Sequence, residues 1–273
     1  MSDSIRLQTI EGRTAQQTKS KSCLLAVIRR FVQACNVDTS EPVLVMGGGQ
    51  EDLEMLSACG FSQIVMSNID TAIMALDAEN IALPDDSYPV VFAHAVLHHC
   101  RSPQRALGEM VRVSQRHVFF LEPNDSWALR LLVRLGYSFP YELAAVADNE
   151  YIRGGLRNGP IPNYIYRWTS RDVEKSVRAY HPERAFDILA YSYWDFYVNE
   201  NDLLLRKESR VASLAQRMGP RNLLSLLHLA QSVLNWFSLT RSPGNKFFCS
   251  ISKKDLQPWI EARNGEYGLK RNS

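Results

Sequence analysis

Four short, mostly apolar runs recur along the first half of the chain, separated by polar or glycine-containing segments. They lie at Val43–Met46, Ile64–Met66, Val90–Ala93 and His117–Leu121. A continuous apolar run, rather than an alternating one, is typical of a strand that is buried on both faces of a parallel sheet. We therefore expect these four runs to form strands of one sheet.

The segments around these runs carry apolar residues at helical spacing. We predict an N-terminal helix over about 14–36, a short helix after the glycines at 47–49, a helix over 71–76 and a helix that begins at Pro103. The apolar stripe of the first helix consists of Leu24, Ile28, Phe31 and Cys35. Alternation of strands and helices indicates a doubly wound α/β sheet, in which ligands bind beyond the carboxyl ends of the strands.

The alternation of predicted strands and helices ends after Pro123. Residues 124–168 are rich in aromatic residues, glycine, proline and asparagine, which predicts a long excursion across the strand ends rather than another strand–helix unit. The remaining predicted elements are a helix over 171–180, a strand over 186–196, helical segments within 203–239, a last strand over 246–252 and a polar tail over 256–273.

Composition bounds the class of protein. The 273 residues are 45% hydrophobic and 22% charged, which excludes a disordered or fibrous chain. Lys and Arg number 31 against 29 Asp and Glu, so the overall balance does not indicate a nucleic-acid partner. The five cysteines are widely spaced and form no CxxC pair. This pattern predicts reduced thiols in the cytosol, with neither a disulfide framework nor a metal site.

Positive charge is concentrated in the last third of the chain. Residues 203–254 hold nine Lys or Arg and one Glu, a local excess of +8. Within them, 222–239 is strongly apolar at helical spacing but is interrupted too often by polar residues for a membrane span. Two alternatives stay open for it: packing in the core or a homodimer, and peripheral contact with anionic lipid. The first 22 residues contain no apolar run typical of a signal peptide, so a cytoplasmic location is expected.

An apolar strand leads directly into Gly47-Gly48-Gly49 at the predicted start of a helix. Glycine lets the backbone approach a ligand closely, and a helix N-terminus offers free N–H groups. A dinucleotide fingerprint needs a third glycine where this chain has Asp52, and a carboxylate repels a pyrophosphate. The turn therefore predicts a cofactor without phosphate groups.

Residues 43–125 carry a series of motifs in a fixed order, VLVMGGG, IVMSNID, DAENIALPDDSYPVVFAHAVLHH, SPQRALGEMVRV and VFFLEP. This series resembles the class I S-adenosylmethionine-dependent methyltransferases, in particular the small-molecule branch called type 11. The resemblance implies a Rossmann-like sheet with an antiparallel last strand and S-adenosylmethionine as the cofactor. It also implies methyl transfer to an O, N or C atom of a small-molecule or lipid-like acceptor.

The same resemblance assigns roles to individual residues. In that family the glycine turn faces the methionine part of the cofactor, a polar residue after the second strand holds the ribose, and an Asp-Ala pair contacts adenine. The cofactor-binding residues implied in this chain are Gly47, Gly48, Gly49, Asn68, Asp70, Asp77, Ala78 and His94. The chain departs from the family where Val45 replaces an acid and Glu51 replaces a third glycine. A catalytically silent binding or regulatory protein therefore stays as the alternative function.

Two histidines, His98 and His99, lie just beyond the carboxyl end of the third strand. Imidazole titrates near neutral pH and can accept a proton from the methyl acceptor. Successive residues leaving a strand point to opposite sides, so one of the two is expected to face the cleft. His98 is the preferred base, since His99 holds the more fixed place in the family's L-H-H pattern; a structural role for both is the alternative. Glu122 ends the fourth strand, where ligand contacts are expected.

Together these patterns predict one methyltransferase domain over 1–273. Its cofactor-binding core is expected at 43–123, and a lid is expected from 124–168 and 199–243. No Cys/His spacing suggests a metal, and the sequence lacks the target-base motifs of nucleic-acid methyltransferases.

Overall fold

The computed structural model describes residues 23–69, 74–196, 210–237, 243–263 and 266–270. The strands of its main sheet are β1 (Pro42–Met46), β2 (Gln63–Met66), β3 (Tyr88–His94), β4 (Ser114–Pro123), β5 (Arg184–Tyr193) and β6 (Lys246–Leu256). Their order across the sheet is β2-β1-β3-β4-β6-β5. The first four pair in parallel, whereas β6 runs antiparallel to both β4 and β5. The predicted α/β sheet with an antiparallel last strand is confirmed.

Helices cover both faces of this sheet, and two further helices lie within the excursion after β4. They are α1 (23–34), α2 (Gln50–Ala58), α3 (Pro103–Val113), α4 (Trp127–Arg134), α5 (Leu143–Asp148), α6 (Ser170–Tyr180), α7 (Arg210–Met218) and α8 (Pro220–Phe237). The predicted helix over 171–180 is confirmed as α6. Thr169 and Asp172 exchange side-chain and backbone hydrogen bonds at its first turn, which satisfies two N–H groups that the helix leaves unpaired.

Side chains of the central strands alternate between two apolar layers. Leu44 and Met46 of β1 belong to the layer that contains α3 and α6, while Val43 and Val45 belong to the layer that contains α1 and α2. All four are at most 1% exposed. Burial on both faces explains why β1 is apolar at every position, and it confirms the interpretation of the continuous run.

Two predicted elements differ in the structure. The helix expected over 71–76 is wrong in its described part, because residues 74–76 are not helical and Ala75 instead forms a parallel bridge with Asn68. Six residues are too few to stabilise an isolated helix; 70–73 lie outside the described residues. The segment expected only as a polar tail forms a hairpin of β7 (Ile260–Arg263) and β8 (Glu266–Leu269).

The basic, apolar C-terminal third is helical where the structure describes it. α7 and α8 pack on each other through Ala215, Leu223 and Leu224. Of the described helices, none combines the length and the apolar character needed to pass through a bilayer.

The guanidinium of Arg112 joins the loop before β3 to α3 through hydrogen bonds. Its nitrogens donate to the carbonyl oxygens of Ile81 and Leu83 at 2.7 and 2.8 Å and to the carboxylate of Asp85 at 2.8 Å. Both carboxylate oxygens of Glu109 accept from the same guanidinium, at 2.9 and 2.8 Å. Because five donors are used in a fixed fork, this contact is more than the pairing of two neighbours on a helix surface.

We expect Arg112→Lys to lower the free energy of unfolding by about 2 kcal/mol, because one ammonium group cannot replace a fork of donors and leaves loop carbonyls without partners. Urea denaturation measures this change. Arg178→Lys is the matched control, since Arg178 makes only an exposed contact with Glu174 on α6 and should change stability by no more than about 0.5 kcal/mol. Equal effects of the two substitutions would contradict the role given to Arg112.

Candidate active site

The glycine turn after β1 has one strained and one open position. Gly47 adopts a left-handed φ of +61°, and a Cβ there would lie 2.7 Å from Cγ2 of Val96. Gly49 is extended, and a Cβ there would meet no atom within 4 Å. Gly47 is therefore required by the path of the chain, while Gly49 leaves space for a ligand against the start of α2.

Asp52 occupies part of the N-terminus of α2. One of its carboxylate oxygens accepts the Gly49 N–H at 2.9 Å, and the other lies 2.8 Å from Nδ1 of His94. A carboxylate at a helix N-terminus is stabilised by the helix dipole. This end of the helix already holds a negative charge, which agrees with the prediction that the turn does not serve a pyrophosphate.

The carboxylate of Glu122, at the end of β4, organises the turn after β3. One oxygen accepts the backbone N–H groups of Val96 and Leu97 at 2.8 and 2.7 Å. The other lies 2.5 Å from Nδ1 of His98. Glu122 is only 1% exposed, so its observed role is to hold the turn from inside.

His98, His99 and Glu142 form a polar cluster beside this turn. Oε2 of Glu142 lies 3.2 Å from Nε2 of His98 and 3.5 Å from Nε2 of His99. Nδ2 of Asn163 donates to the same oxygen at 2.9 Å and lies 3.0 Å from Nδ1 of His99. The carbonyl oxygen of Gly155 is 3.3 Å from that nitrogen. The excursion after β4 thus supplies half of the cluster.

The two histidines differ in charge. Burial by itself lowers the pKa of His98, but the charge and hydrogen bond of Glu122, with a smaller contribution from Glu142, outweigh burial and raise the pKa to about 10. Burial and then the charge of His98 lower the pKa of His99 below its usual value. At neutral pH, His98 therefore carries a proton on both ring nitrogens, whereas His99 is neutral.

A cavity of about 200 Å³, partly open to solvent, lies beyond the carboxyl ends of β1, β2 and β3. Its walls consist of Met46, Gly47, Asn68, Ile69, Leu76, Asp77, Ala78, Glu79, Ala95, Val96, His99, Cys100, Arg157 and Asn158. It is where a doubly wound sheet is expected to bind its ligand.

Arg157 reaches from the excursion to the acidic wall of the cavity. Its guanidinium lies 2.9 Å from Oδ2 of Asp77 and 2.9 Å from Oε2 of Glu79. Glu79 also accepts the N–H of Ser102 at 2.7 Å. The excursion therefore forms one side of the cavity and is held there by an ion pair; among the described residues of 210–237, none lines the cavity.

The structure brings some of the predicted site residues together and separates others. Those in the cavity wall are Gly47, Asn68, Asp77, Ala78 and His99. Gly48, Gly49, His94 and His98 lie outside that wall; Met66 fills the space next to Gly48, and His94 contacts Asp52 instead. Asp70 is outside the described residues.

Sequence reasoning missed Glu142, Asn163 and Arg157. All three come from the excursion, which carries no periodic pattern and no motif of the family. The one available signal was its density of Gly, Pro and Asn, which predicts irregular backbone over the strand ends but not which polar side chain points inward.

Comparison with known proteins agrees with this geometry. Residues 21–121 match the family model described as "Methyltransferase domain". Over residues 21–121, this match confirms the predicted resemblance to methyltransferases, together with the enzyme class and the cofactor S-adenosylmethionine that it implies. No curated protein matches the chain in sequence.

Solved structures resemble the chain at low identity. A SAM-dependent methyltransferase from Archaeoglobus fulgidus is 13% identical, with 86% of this chain and 94% of that chain covered and a TM-score of 0.42. A SAM-dependent methyltransferase from Thermotoga maritima is 11% identical, with coverages of 88% and 98% and a TM-score of 0.42. A phosphoethanolamine N-methyltransferase from Haemonchus contortus is 12% identical, with coverages of 81% and 50% and a TM-score of 0.39. None of these similarities carries the argument about function.

The residues of the cavity fit S-adenosylmethionine. Asn68 and Asp77 would supply hydrogen-bonding groups for the ribose and the adenine, and Ile69 and Leu76 would supply apolar surface beside them. Gly49, outside the cavity wall, would leave the N-terminus of α2 open to the methionine part. These groups require no phosphate on the ligand.

We expect Gly49→Val to weaken binding of S-adenosylmethionine by about tenfold or more, because the added side chain fills space that the protein itself leaves empty. The fold should be retained, since the valine meets no protein atom at Cβ. Calorimetric titration with S-adenosylmethionine and S-adenosylhomocysteine measures the affinity. Gly268→Val, also in open space but in β8, is the control and should bind normally. An unchanged dissociation constant for a folded Gly49→Val protein would place the cofactor elsewhere.

Proposed function

From this methyltransferase domain, we propose that the protein transfers the methyl group of S-adenosylmethionine to an oxygen or nitrogen atom of a small-molecule or lipid-like acceptor. One observation carries the proposal. His99 stands in the same cavity wall as Gly47, Asn68 and Asp77, so a proton-accepting ring and the cofactor-binding residues face one space. An acceptor that loses a proton as it is methylated needs this arrangement.

Bound S-adenosylmethionine supplies a methyl group on a positively charged sulfur. The protein's part is to hold the acceptor in line with that group and to exclude competing water. Gly47 shapes the side of the cavity next to β1, and Val96 and His99 shape the side next to β3. Arg157 and Asn158 close the space from the excursion.

Exposure supports His99, rather than the preferred His98, as the residue next to the acceptor. The side chain of His99 is 29% exposed and lines the cavity, while that of His98 is 4% exposed and is held between Glu122 and Glu142. A buried ring whose two nitrogens face carboxylates does not face an acceptor in the cavity. We therefore assign His98 to positioning and His99 to contact with the acceptor.

We expect His99→Ala to reduce turnover by about 10²-fold or more, the usual effect of removing a group that handles the acceptor's proton. A screen of hydroxyl- and amine-bearing small molecules and lipid-like compounds, with release of S-adenosylhomocysteine as the readout, identifies the acceptor and then measures this loss. Affinity for S-adenosylmethionine should change little. His117→Ala is the control, because His117 lies on β4 and bonds Ser252 instead of the cavity. Normal turnover by a folded His99→Ala protein would contradict the assignment of His99 to contact with the acceptor.

A cytosolic location belongs to the same proposal. All five cysteines are free thiols in the structure. Unpaired thiols are maintained most readily in the reducing cytosol.

A second surface, on α8, supports the lipid alternative for 222–239. The predicted single stripe is divided: Leu223 and Leu224 are buried against α7, while Leu226 and Leu229 are 50% and 63% exposed. Arg217 and Arg221 lie around the start of α8, and neither α7 nor α8 contains an acidic residue. An apolar face beside basic residues suits the interface of an anionic membrane.

We expect the protein to float with vesicles that contain anionic phospholipid, and to do so less at high salt. Leu229→Gln should reduce flotation, whereas Leu189→Gln, at an exposed leucine of β5, should not. Absence of salt-sensitive flotation would exclude the lipid contact. A concentration-dependent dimer that Leu229→Gln dissociates would assign the face to a second copy instead.

A further inference from the structure

Three side chains beside the cavity place potential metal ligands close together. The ring nitrogens of His98 and His99 and a carboxylate oxygen of Glu142 lie within 4.8 Å of one another. We propose that these residues bind a divalent transition-metal ion through Nε2 of each histidine and the carboxylate of Glu142. Binding of the ion is independent of the proposed function, while its role in catalysis rests on that function.

Two of the separations between the ligand atoms match those around a single ion. Ligands at about 2.1 Å from an ion, at octahedral or tetrahedral angles, are roughly 3.0 to 3.4 Å apart. Oε2 of Glu142 lies 3.2 and 3.5 Å from the two Nε2 atoms. The contact with His98 is also a hydrogen bond, whereas at 3.5 Å a hydrogen bond between His99 and Glu142 is weak.

Each ligand has an outer partner of the kind that metal sites use. Nδ1 of His98 faces the carboxylate of Glu122 at 2.5 Å, and Nδ1 of His99 faces the carbonyl oxygen of Gly155 at 3.3 Å. An ion on the two Nε2 atoms would displace the proton that His98 carries there at neutral pH, and it would require Nδ1 of His99 to donate to Gly155 instead of accepting from Asn163. Asn163 donates to Glu142 at 2.9 Å. Such contacts fix the tautomer and the orientation of metal ligands.

The charge around the cluster also favours a cation. Glu122 and Glu142 bring two carboxylates to this place, and Glu122 is 1% exposed. Within the part of the chain that the structure describes, neither carboxylate has a Lys or Arg partner; their contacts are histidines, Asn163 and backbone N–H groups. A divalent ion with two neutral histidines balances both negative charges.

The ion would remain open to the cavity. His99 lines the cavity and its side chain is 29% exposed, as is that of Glu142. Three protein ligands on one side leave further positions for water or for an oxygen of the acceptor. Two imidazoles and one carboxylate favour Zn²⁺, Co²⁺ or Fe²⁺ over Mg²⁺ or Ca²⁺. With the ion bound, an acceptor hydroxyl would lose its proton to solvent on coordination instead of to His99, so the acceptor class that follows is one with a metal-binding hydroxyl group.

The test measures metal binding directly, with untagged full-length protein from which metal has been removed by a chelator. Equilibrium dialysis against Co²⁺ or Zn²⁺, followed by elemental analysis, should give one ion per chain, and bound Co²⁺ should show the visible absorption of histidine coordination. His99→Ala and Glu142→Gln should each weaken binding by about a hundredfold or more. Glu150→Gln, at an exposed carboxylate of the same excursion, is the control and should bind as the unmodified protein does.

Thermal unfolding separates loss of the site from loss of the fold. The ion should raise the melting temperature of the unmodified protein and of Glu150→Gln, but not that of folded His99→Ala or Glu142→Gln. Sub-stoichiometric uptake by the unmodified protein, or equal uptake by all four proteins, would overturn the site. Turnover that persists after metal removal would reject the catalytic role while leaving methyl transfer intact. Stoichiometric metal with no methylated acceptor would count against the proposed function alone.

Discussion

One buried carboxylate, that of Glu122, holds together the part of the molecule where chemistry is expected. The chain leaves β3 through Ala95 in a left-handed conformation, with φ of 55°, which is unfavourable for a residue with a Cβ. Glu122 stabilises that path by accepting the next two N–H groups, which would otherwise be buried without partners. The same carboxylate orients His98. The position of His99, one residue later, therefore depends on Glu122 although the two do not form a hydrogen bond.

The sheet order makes this local arrangement useful. β1 and β3 are neighbours and run parallel, so the glycine turn after β1 and the histidine turn after β3 emerge side by side at the same edge. The two turns are in close contact at Gly47, since any Cβ there would overlap Val96. In the proposed function the cofactor lies over the first turn and the acceptor against the second, so the topology of the backbone would bring the two into contact.

The sequence was sufficient for the elements whose pattern is set by burial. β1 and β3 are apolar at almost every position because helices cover both faces, and α6 begins where Thr169 and Asp172 cap it. It was insufficient at 74–76, where the apolar spacing mimicked a helix over too few residues to form one. It also failed to separate His98 from His99, because the difference between them is made by Glu122 and Glu142, which no local pattern connects to either ring.

The excursion shows why the second half of the site was beyond sequence reasoning. A Cβ on Gly155 would overlap the carbonyl of Ile161, and one on Gly154 would overlap that of Ala145, so only glycines permit this fold of the loop. Once folded, the loop places the Gly155 carbonyl against His99 and the Arg157 guanidinium against Asp77. A ligand group that bonds Asp77 competes with Arg157 for that carboxylate. Only Leu156 separates Gly155 from Arg157, so one short segment of the excursion contacts both His99 and Asp77.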